Sequence, residues 1–226
     1  MRAYSEWYLG DAQQSLGEML DYVVNDCGMS ADSFMMDFVR SGLARRFSHG
    51  DPGVVAGKSG FELASSVNFV VRGSYLDAPA LQPLDCSSWY WTGWILAYYQ
   101  WESAYEFDQL MRWGLTPSAV EGMYVLHEAD VSVFSQRANA LIAAAQKAEG
   151  APLKRIRKAA GLTQAQLAKA AGVSVRMVQL YEQRQNDINV ASASTLARLS
   201  RVLGCQIEDL LENPLRDSYE YEVVRF

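Results

Sequence analysis

Apolar residues recur every three or four positions along most of the chain, which is the spacing of one face of an α-helix. Between residues 7 and 27 these positions are Ala12, Leu16, Met19, Leu20, Val23 and Cys27. Similar patterns follow Ser30, fill residues 61–71 and run through 130–148, although the end of 61–71, "VNFVV", also suits a strand. The pattern predicts an all-α fold.

From Leu153 onward the pattern predicts five short helices, the last two in "STLARLSRVLGCQIEDLL". Thr163 stands three residues before Gln166, which is the arrangement of a capping box, and Ser174 can cap the helix that follows. Gly172 lies between these two helices and can form a tight turn. The sequence therefore predicts a helix–turn–helix unit near the C-terminus.

The distribution of charge agrees with a domain boundary in "KAEGAP", residues 147–152. Residues 1–150 hold 9 Lys and Arg against 18 Asp and Glu, a net charge of −9, whereas residues 151–214 hold 9 against 5, a net charge of +4. We therefore predict an acidic helical domain at 1–150, a basic domain at 151–214 that suits a nucleic-acid partner, and a short tail at 215–226.

Residues 153–212 resemble the lambda-repressor-like, Cro-type (XRE) helix-turn-helix family. The resemblance is carried by "LTQAQLA", "AGVS", "YEQ", "TLARLSRVLG" and "IEDLL", in the order and at the spacing of the family. It implies a five-helix domain that binds double-stranded DNA and places the second helix of the motif in the major groove. We expect the protein to bind DNA as a homodimer, because two-fold pairing places two recognition helices about 34 Å apart on one face of the duplex.

The start of the predicted recognition helix carries the residues that we expect to read bases. Arg176 can make forked hydrogen bonds to guanine, and Gln179 can pair with adenine. Ser174 caps the helix at this surface. Val175 and Leu180 can only pack on thymine methyl groups or sugars, at positions where members of the family often carry polar residues.

Phosphate contacts are predicted around that helix, because basic and amide side chains flank it. The residues expected to bind phosphates are Gln164, Lys154, Arg155, Arg184 and Asn186. Gln164 opens the preceding helix, whose N-terminal end attracts an anion. Arg157 and Lys158 add positive potential nearby.

The acidic domain contains a strongly aromatic segment, "WYWTGWILAYYQW". On a helix one continuous stripe is formed by Trp91, Trp94, Tyr98, Trp101 and Tyr105. We interpret the stripe as core, and Tyr90 and Tyr99, which lie outside it, as candidates for a partner surface. In the alternative interpretation the aromatic helix lines a pocket, and the protein is a repressor that senses a small molecule.

The N-terminal sequence also resembles the leading domain of Firmicutes helix-turn-helix regulators found in toxin–antitoxin-like modules. The segments concerned are "DYVVNDCGMSADSFMMDFVRSGLARRF" and "WTGWILAYYQW". This resemblance implies an antitoxin that binds a cognate toxin protein through its N-terminal domain and represses its own promoter through the C-terminal one. DNA binding and toxin neutralisation would then lie in separate parts of the chain.

Sites for catalysis or metal binding are poorly supported. The segment "GVVAGKS", in a Gly-rich loop with His49, is one residue shorter than the phosphate-binding loop G-x-x-x-x-G-K-[ST]. His127 has no second histidine at metal-site spacing. Cys27, Cys86 and Cys205 are too far apart to indicate a disulfide framework or a zinc site. We expect no enzyme activity, no metal and no cofactor.

We expect a cytoplasmic protein that does not bind membranes. The first residues, "MRAYSEWYLGDAQQ", contain no apolar run of a signal peptide. No stretch reaches the roughly 18 uninterrupted apolar residues of a membrane span.

The tail "PLRDSYEYEVVRF" alternates apolar and charged residues with the period of a strand. A lone strand is not stable in water, so it must pair with another element. Either the tail is a frayed terminus, or it adds to a sheet edge in the dimer or in a partner protein, with Tyr219 and Tyr221 in pockets.

Overall fold

The computed structural model of the protein describes residues 2–79 and 86–212. Within these residues every regular element is helical, so the predicted all-α fold is confirmed. The predicted strand with Tyr219 and Tyr221 lies outside the described residues. The chain divides into two compact units, Met1–Ile142 (unit 1) and Ala143–Phe226 (unit 2). None of the described helices is both long and apolar enough to cross a membrane.

Several helices of unit 1 begin at a Ser or Thr side chain that caps them. Ser30, Ser59, Ser87 and Thr116 each accept a hydrogen bond from a backbone N–H three residues further on. The α-helices are α1, Leu9–Asp21; α2, Ala31–Arg40; α3, Leu43–Ser48; α4, Pro52–Val55; α5, Gly60–Arg72; α6, Ser88–Ser103; α7, Phe107–Arg112; α8, Pro117–Glu121; and α9, Val131–Glu149. Short 3-10 helices lie at Glu6–Tyr8 and Tyr124–Glu128, and a π-helical turn at Tyr22–Asp26 continues α1.

The most extensive packing in unit 1 is between α1 and α6, and it depends on glycine. A Cβ atom built on Gly93 would lie 2.2 Å from the Leu16 carbonyl oxygen, and one on Gly17 would lie 3.0 Å from the Tyr90 carbonyl oxygen. The two backbones can approach this closely only because no side chain separates them. The hydroxyl of Ser87, which caps α6, donates to the buried carboxylate of Asp21 in α1.

The segment predicted as a Gly-rich loop contains a helical turn, and this part of the prediction is wrong. Asp51 accepts a hydrogen bond from Gly53 N–H at 2.9 Å, and Pro52 begins α4. Val54 and Val55 are fully buried in the core of unit 1. A helix of four residues is too short to show helical periodicity, so the sequence did not indicate that Val54 and Val55 are buried.

The buried face of α6 differs from the predicted aromatic stripe. Tyr99 is fully buried and donates a hydrogen bond to Asn139 Oδ1 at 2.6 Å, so its predicted place on a partner surface is wrong. Trp91 and Trp94 of the stripe are only half-buried, whereas Trp101 is buried. The helix contacts α1 and α8 as well as the 3-10 helix Tyr124–Glu128, so more than one of its faces is covered.

In α9, Phe134, Ala138 and Ile142 are buried as the pattern indicates, but Val133 is 42% exposed. The division between the two units falls inside α9, after Ile142, and is N-terminal to the predicted boundary at 147–152. The helix itself ends before Gly150, whose φ of 77° is left-handed.

Unit 2 has its own hydrophobic core. Its members are Leu153, Leu167, Ala168, Ala171, Val178, Tyr181, Ile188, Leu196, Leu199 and Leu210. The α-helices are α10, Pro152–Ala159; α11, Gln164–Ala171; α12, Val175–Glu182; and α13, Ala193–Leu203. Ile188–Val190 forms a 3-10 turn. The fifth predicted helix is likewise only a 3-10 turn, Glu208–Leu210.

Candidate DNA-binding surface

Helices α11 and α12 form the predicted helix–turn–helix, and local side chains fix its ends. Thr163 Oγ1 accepts from Gln166 N–H at 3.1 Å, and Gln166 Oε1 accepts from Thr163 N–H at 2.8 Å. Gly172 ends α11 in a left-handed conformation with φ 63°. Ser174 Oγ then accepts from Met177 N–H at 3.1 Å and begins α12. The predicted capping box, turn and second cap are confirmed.

The two faces of α12 differ in burial. Val178 is fully buried and Tyr181 is 8% exposed, so this face packs into the core of unit 2. The residues predicted to read bases have the opposite character: Ser174, Val175 and Arg176 are exposed, and Gln179 and Leu180 are half-buried. The first turn of α12 is therefore exposed at the surface of unit 2.

A buried ion pair joins the helices behind this surface. Arg157 of α10 donates through Nε to Glu182 Oε1 at 2.5 Å and through Nη2 to Glu182 Oε2 at 2.9 Å. Its Nη1 donates to the Leu162 carbonyl oxygen at 2.5 Å. Gln164 Nε2 of α11 donates to Glu182 Oε2 at 2.8 Å. Three helices thus share one carboxylate at the end of α12.

The pair changes the titration of Glu182. Burial acts to raise the pKa of this carboxyl, but hydrogen bonds from Arg157 and Gln164, with the charge of Arg157, outweigh burial and lower the pKa below its ordinary value. The hydrogen bond to Glu182 also raises the pKa of Arg157. The sequence analysis predicts that Arg157 adds positive potential at the surface. This prediction is wrong, because the charge of Arg157 is neutralised by Glu182 inside unit 2.

The predicted phosphate-binding residues fall into different environments. Lys154, Arg155 and Asn186 are exposed. Gln164 is half-buried, and its amide already donates to Glu182. The amide nitrogen carries a second hydrogen, so a phosphate contact by Gln164 stays a prediction.

Arg184, predicted to bind phosphate, makes hydrogen bonds within unit 2. Its Nε donates to Glu212 Oε1 at 2.9 Å, and its Nη atoms donate to the carbonyl oxygens of Gln146 at 3.2 Å and Gly150 at 3.4 Å. The φ of Arg184 is 55°, so the chain turns sharply at this residue. Arg184 is exposed and its charge is paired with Glu212, which the sequence could not show, and a phosphate contact by Arg184 stays a prediction.

Arg198 of α13 was not singled out by the sequence. Its Nη1 donates to the carbonyl oxygen of Gly172 at 3.2 Å, and its Nε donates to Ser194 O at 3.2 Å. The contact ties α13 to the turn between α11 and α12. Arginine on an amphipathic helix normally indicates a solvated face, so no sequence signal distinguishes this role.

Another segment of unit 1 that the sequence analysis tested for chemistry is "GVVAGKS". Around the segment "GVVAGKS", Asp11, Glu18 and Glu62 line a depression together with Lys58, and carboxylates repel a phosphate. Ser59 of this segment caps α5. In the described part of the chain no group of three or more His, Cys, Asp or Glu side chains could hold a metal ion.

Comparison with known families shows that residues 153–210, 58 of the chain's 226 residues, match a family model described as helix-turn-helix. The match lies within unit 2, confirms the resemblance for the C-terminal domain and supports a DNA-binding transcription regulator. Comparison with curated proteins and with solved structures finds no significant match. The N-terminal resemblance to Firmicutes regulators stays a prediction.

Proposed function

We propose that the protein is a sequence-specific autorepressor of the antitoxin type. As a homodimer it binds its own operator through unit 2, and its acidic unit 1 binds a cognate toxin protein. The observation that carries the DNA-binding part is the exposed first turn of α12, held by the Gly172 turn and the Ser174 cap. Arg176 and Gln179 read bases at this surface.

Replacing both Arg176 and Gln179 by alanine should weaken operator binding by about tenfold to a hundredfold for each lost bidentate contact. The measurement is a gel shift and footprint on the region upstream of the gene. The control is the double alanine variant of Gln136 and Arg137, an exposed Gln and Arg that lie in unit 1. If the variant of Arg176 and Gln179 gave the wild-type footprint and bound the operator as tightly as the control variant does, α12 would not read the bases.

Phosphate contacts can be counted from the salt dependence of operator affinity. The slope of log K against log salt falls by about 0.9 for each phosphate contact removed. The double variant Lys154→Gln and Arg155→Gln should therefore flatten the slope by up to about 1.8. Arg184→Gln should leave the slope unchanged, because that guanidinium already pairs with Glu212. A flatter slope for Arg184→Gln would show that Arg184 contacts a phosphate, as the sequence predicts.

A surface on unit 1 supports the binding of a partner protein. The rings of Phe69 and Tyr75 stack with centroids 4.6 Å apart, although they are 46% and 66% exposed, and the neighbouring Val70 is 58% exposed. Exposed apolar clusters of this kind are typical of interfaces. Since residues 1–150 carry a net charge of −9, the partner that this surface favours is basic.

The partner surface predicts a selective loss of binding. Replacing Phe69 and Tyr75 by serine should abolish co-purification of the protein encoded by the adjacent reading frame, while operator affinity stays at the wild-type level. The control is Val125→Ser, at another exposed apolar residue of unit 1. Equal recovery of the partner with both variants would remove this surface from the proposal. Tyr90, Tyr219 and Tyr221 remain separate predictions for partner contacts.

A second candidate function is the sensing of a small molecule by unit 1. The observation that favours it is a groove beside α6, with a volume of about 360 Å³ and aromatic side chains along its walls. Tyr90, predicted as a partner contact, lies in this groove. A ligand bound there would regulate operator binding by unit 2.

A further inference from the structure

The groove beside α6 has the lining of a small-molecule site. Its walls include Tyr90, Trp91, Trp94, Leu126, His127 and Phe134. Its volume of about 360 Å³ is near the lower end of the range of about 300–1,000 Å³ that is usual for ligand pockets. Both the size and the rings favour a small, flat molecule over a long or branched one.

The rings of the groove are held in place by one another. The ring of Trp91 meets those of Tyr124 and Phe134 edge-on, with centroids 5.7 and 5.9 Å apart. The Tyr124 ring in turn stacks on His127, with centroids 4.3 Å apart and an interplanar angle of 4°. Because these rings pack against one another, a ligand that binds beside them has to order few side chains.

His127 is one of the lining residues of the groove that carry a polar group, together with Cys86, Tyr90 and the indole N–H groups of Trp91 and Trp94. The Nδ1 atom of His127 lies 2.8 Å from the carbonyl oxygen of Tyr124, which can only accept, so Nδ1 carries the proton in this contact. In the neutral ring Nε2 is therefore a hydrogen-bond acceptor. Glu128, whose side chain is 85% exposed, approaches Nε2 only to 3.7 Å, too far for a hydrogen bond. Among the described residues that line the groove there is no Asp, Glu, Lys or Arg.

We propose that this groove binds a small, planar, uncharged aromatic molecule with one N–H or O–H donor, which His127 Nε2 accepts. The aromatic walls bind the faces and edges of the ligand ring, and the imidazole fixes its orientation. The absence of Lys and Arg from the described lining disfavours aromatic carboxylates. This inference deepens the second candidate function, but binding can be measured without reference to DNA.

Isothermal titration of the full-length protein with indole and benzofuran tests the assignment. The two probes have nearly the same shape, but only indole carries an N–H donor. We expect indole to bind about tenfold more tightly than benzofuran, as one hydrogen bond allows. Indole-3-acetate, which is anionic, should bind more weakly than indole. Absence of indole binding, or equal affinity for indole and benzofuran, would overturn the proposal.

Two variants locate the site. His127→Phe keeps a ring on Tyr124 but removes the acceptor, so indole and benzofuran should bind with equal affinity. Ala129→Phe adds a ring at the exposed Ala129, which also lines the groove, and should weaken both probes at least tenfold. Circular dichroism establishes that each variant is folded. Wild-type discrimination in His127→Phe, or unchanged indole affinity in a folded Ala129→Phe, would show that the groove is not the site.

Operator binding in the presence of saturating indole separates this inference from the sensing function. If indole binds in the groove and operator affinity changes, both are supported. If indole binds there and operator affinity is unchanged, the ligand assignment stands and sensing of this ligand class is excluded.

Discussion

Replacing Gly93 by alanine should destabilise unit 1 by about 3 kcal/mol or more, at the upper end for an overpacked core. The new methyl group would lie 2.2 Å from the Leu16 carbonyl oxygen and 2.6 Å from its carbonyl carbon. These are backbone atoms of α1, so no side-chain rotation relieves the clash. The two helices have to move apart, and the contacts between them are lost.

The other glycines of the same helix pair supply graded controls. A Cβ atom added at Gly10 in α1 would have no atom within 4 Å, so Gly10→Ala should be neutral or should stabilise by up to about 1 kcal/mol through helix propensity. Gly17→Ala should fall between the two, because its Cβ would meet the Tyr90 carbonyl oxygen at 3.0 Å. From the most to the least stable variant, the expected order is Gly10→Ala, Gly17→Ala, Gly93→Ala.

Tryptophan fluorescence measures this series in the full-length chain. All six tryptophans, Trp7, Trp89, Trp91, Trp94, Trp101 and Trp113, lie in unit 1. Denaturant unfolding followed by their emission therefore reports unit 1, whatever unit 2 does. A Gly93→Ala midpoint equal to that of Gly10→Ala would show that the approach of α1 to α6 is looser than the structure has it.

Features that depend on near neighbours in the chain could be predicted from the sequence. The caps Thr163 and Ser174 act on N–H groups three residues away, and Gly172 acts through its own φ angle. Each of these signals is complete within four residues, so the motif and its turn were predicted correctly. Ser30 and Thr116 in unit 1 act over the same short distance, each on an N–H group three residues away.

Features that depend on distant partners could not be predicted. Arg157 and Glu182 are 25 positions apart, and Arg198 reaches a carbonyl oxygen 26 positions away. From the sequence alone, each of these three residues would be predicted to be a charged side chain exposed to solvent. The pairing of Arg184 with Glu212 was missed for the same reason, because the whole of α13 separates the two residues in the chain.

The aromatic segment shows a different limit. Periodicity predicts one buried stripe on a helix that packs on one side. Because α6 contacts neighbours on several sides, Tyr99 is buried outside that stripe, while Trp91 and Trp94 are left half-exposed and line a groove. The number of neighbours around a helix is a property of the tertiary fold, so both the buried tyrosine and the groove required the structure.

Replacing Glu182 by alanine should destabilise unit 2 by about 3–5 kcal/mol, since it leaves the Arg157 guanidinium buried and unpaired. The carboxylate side chain is only 2% exposed and that of Arg157 is 10% exposed, so water cannot replace the lost partner. Gln164 loses its acceptor as well. Because the carboxylate joins α10, α11 and α12, operator binding should fall with the stability of the motif.

Two controls separate burial of charge from loss of a glutamate. Glu208 is exposed, and Glu208→Ala should change stability by less than about 0.5 kcal/mol. The double variant Arg157→Met and Glu182→Leu replaces the pair by apolar groups and should recover most of the lost stability. Unit 2 contains no tryptophan, so its unfolding is followed by circular dichroism, with fluorescence as the internal reference for unit 1.

The same pair makes the stability of unit 2 depend on pH. Folding lowers the pKa of Glu182 below its ordinary value of 4.5, so its contribution is complete above pH 4.5 and is lost as the pH falls through the folded-state pKa. The wild-type unfolding midpoint should therefore decrease below pH 4.5 more steeply than that of Glu182→Gln, which has no carboxyl to protonate. Parallel pH profiles for the two proteins would contradict a lowered pKa, and with it the strength of the hydrogen bonds that Arg157 and Gln164 make to this carboxylate.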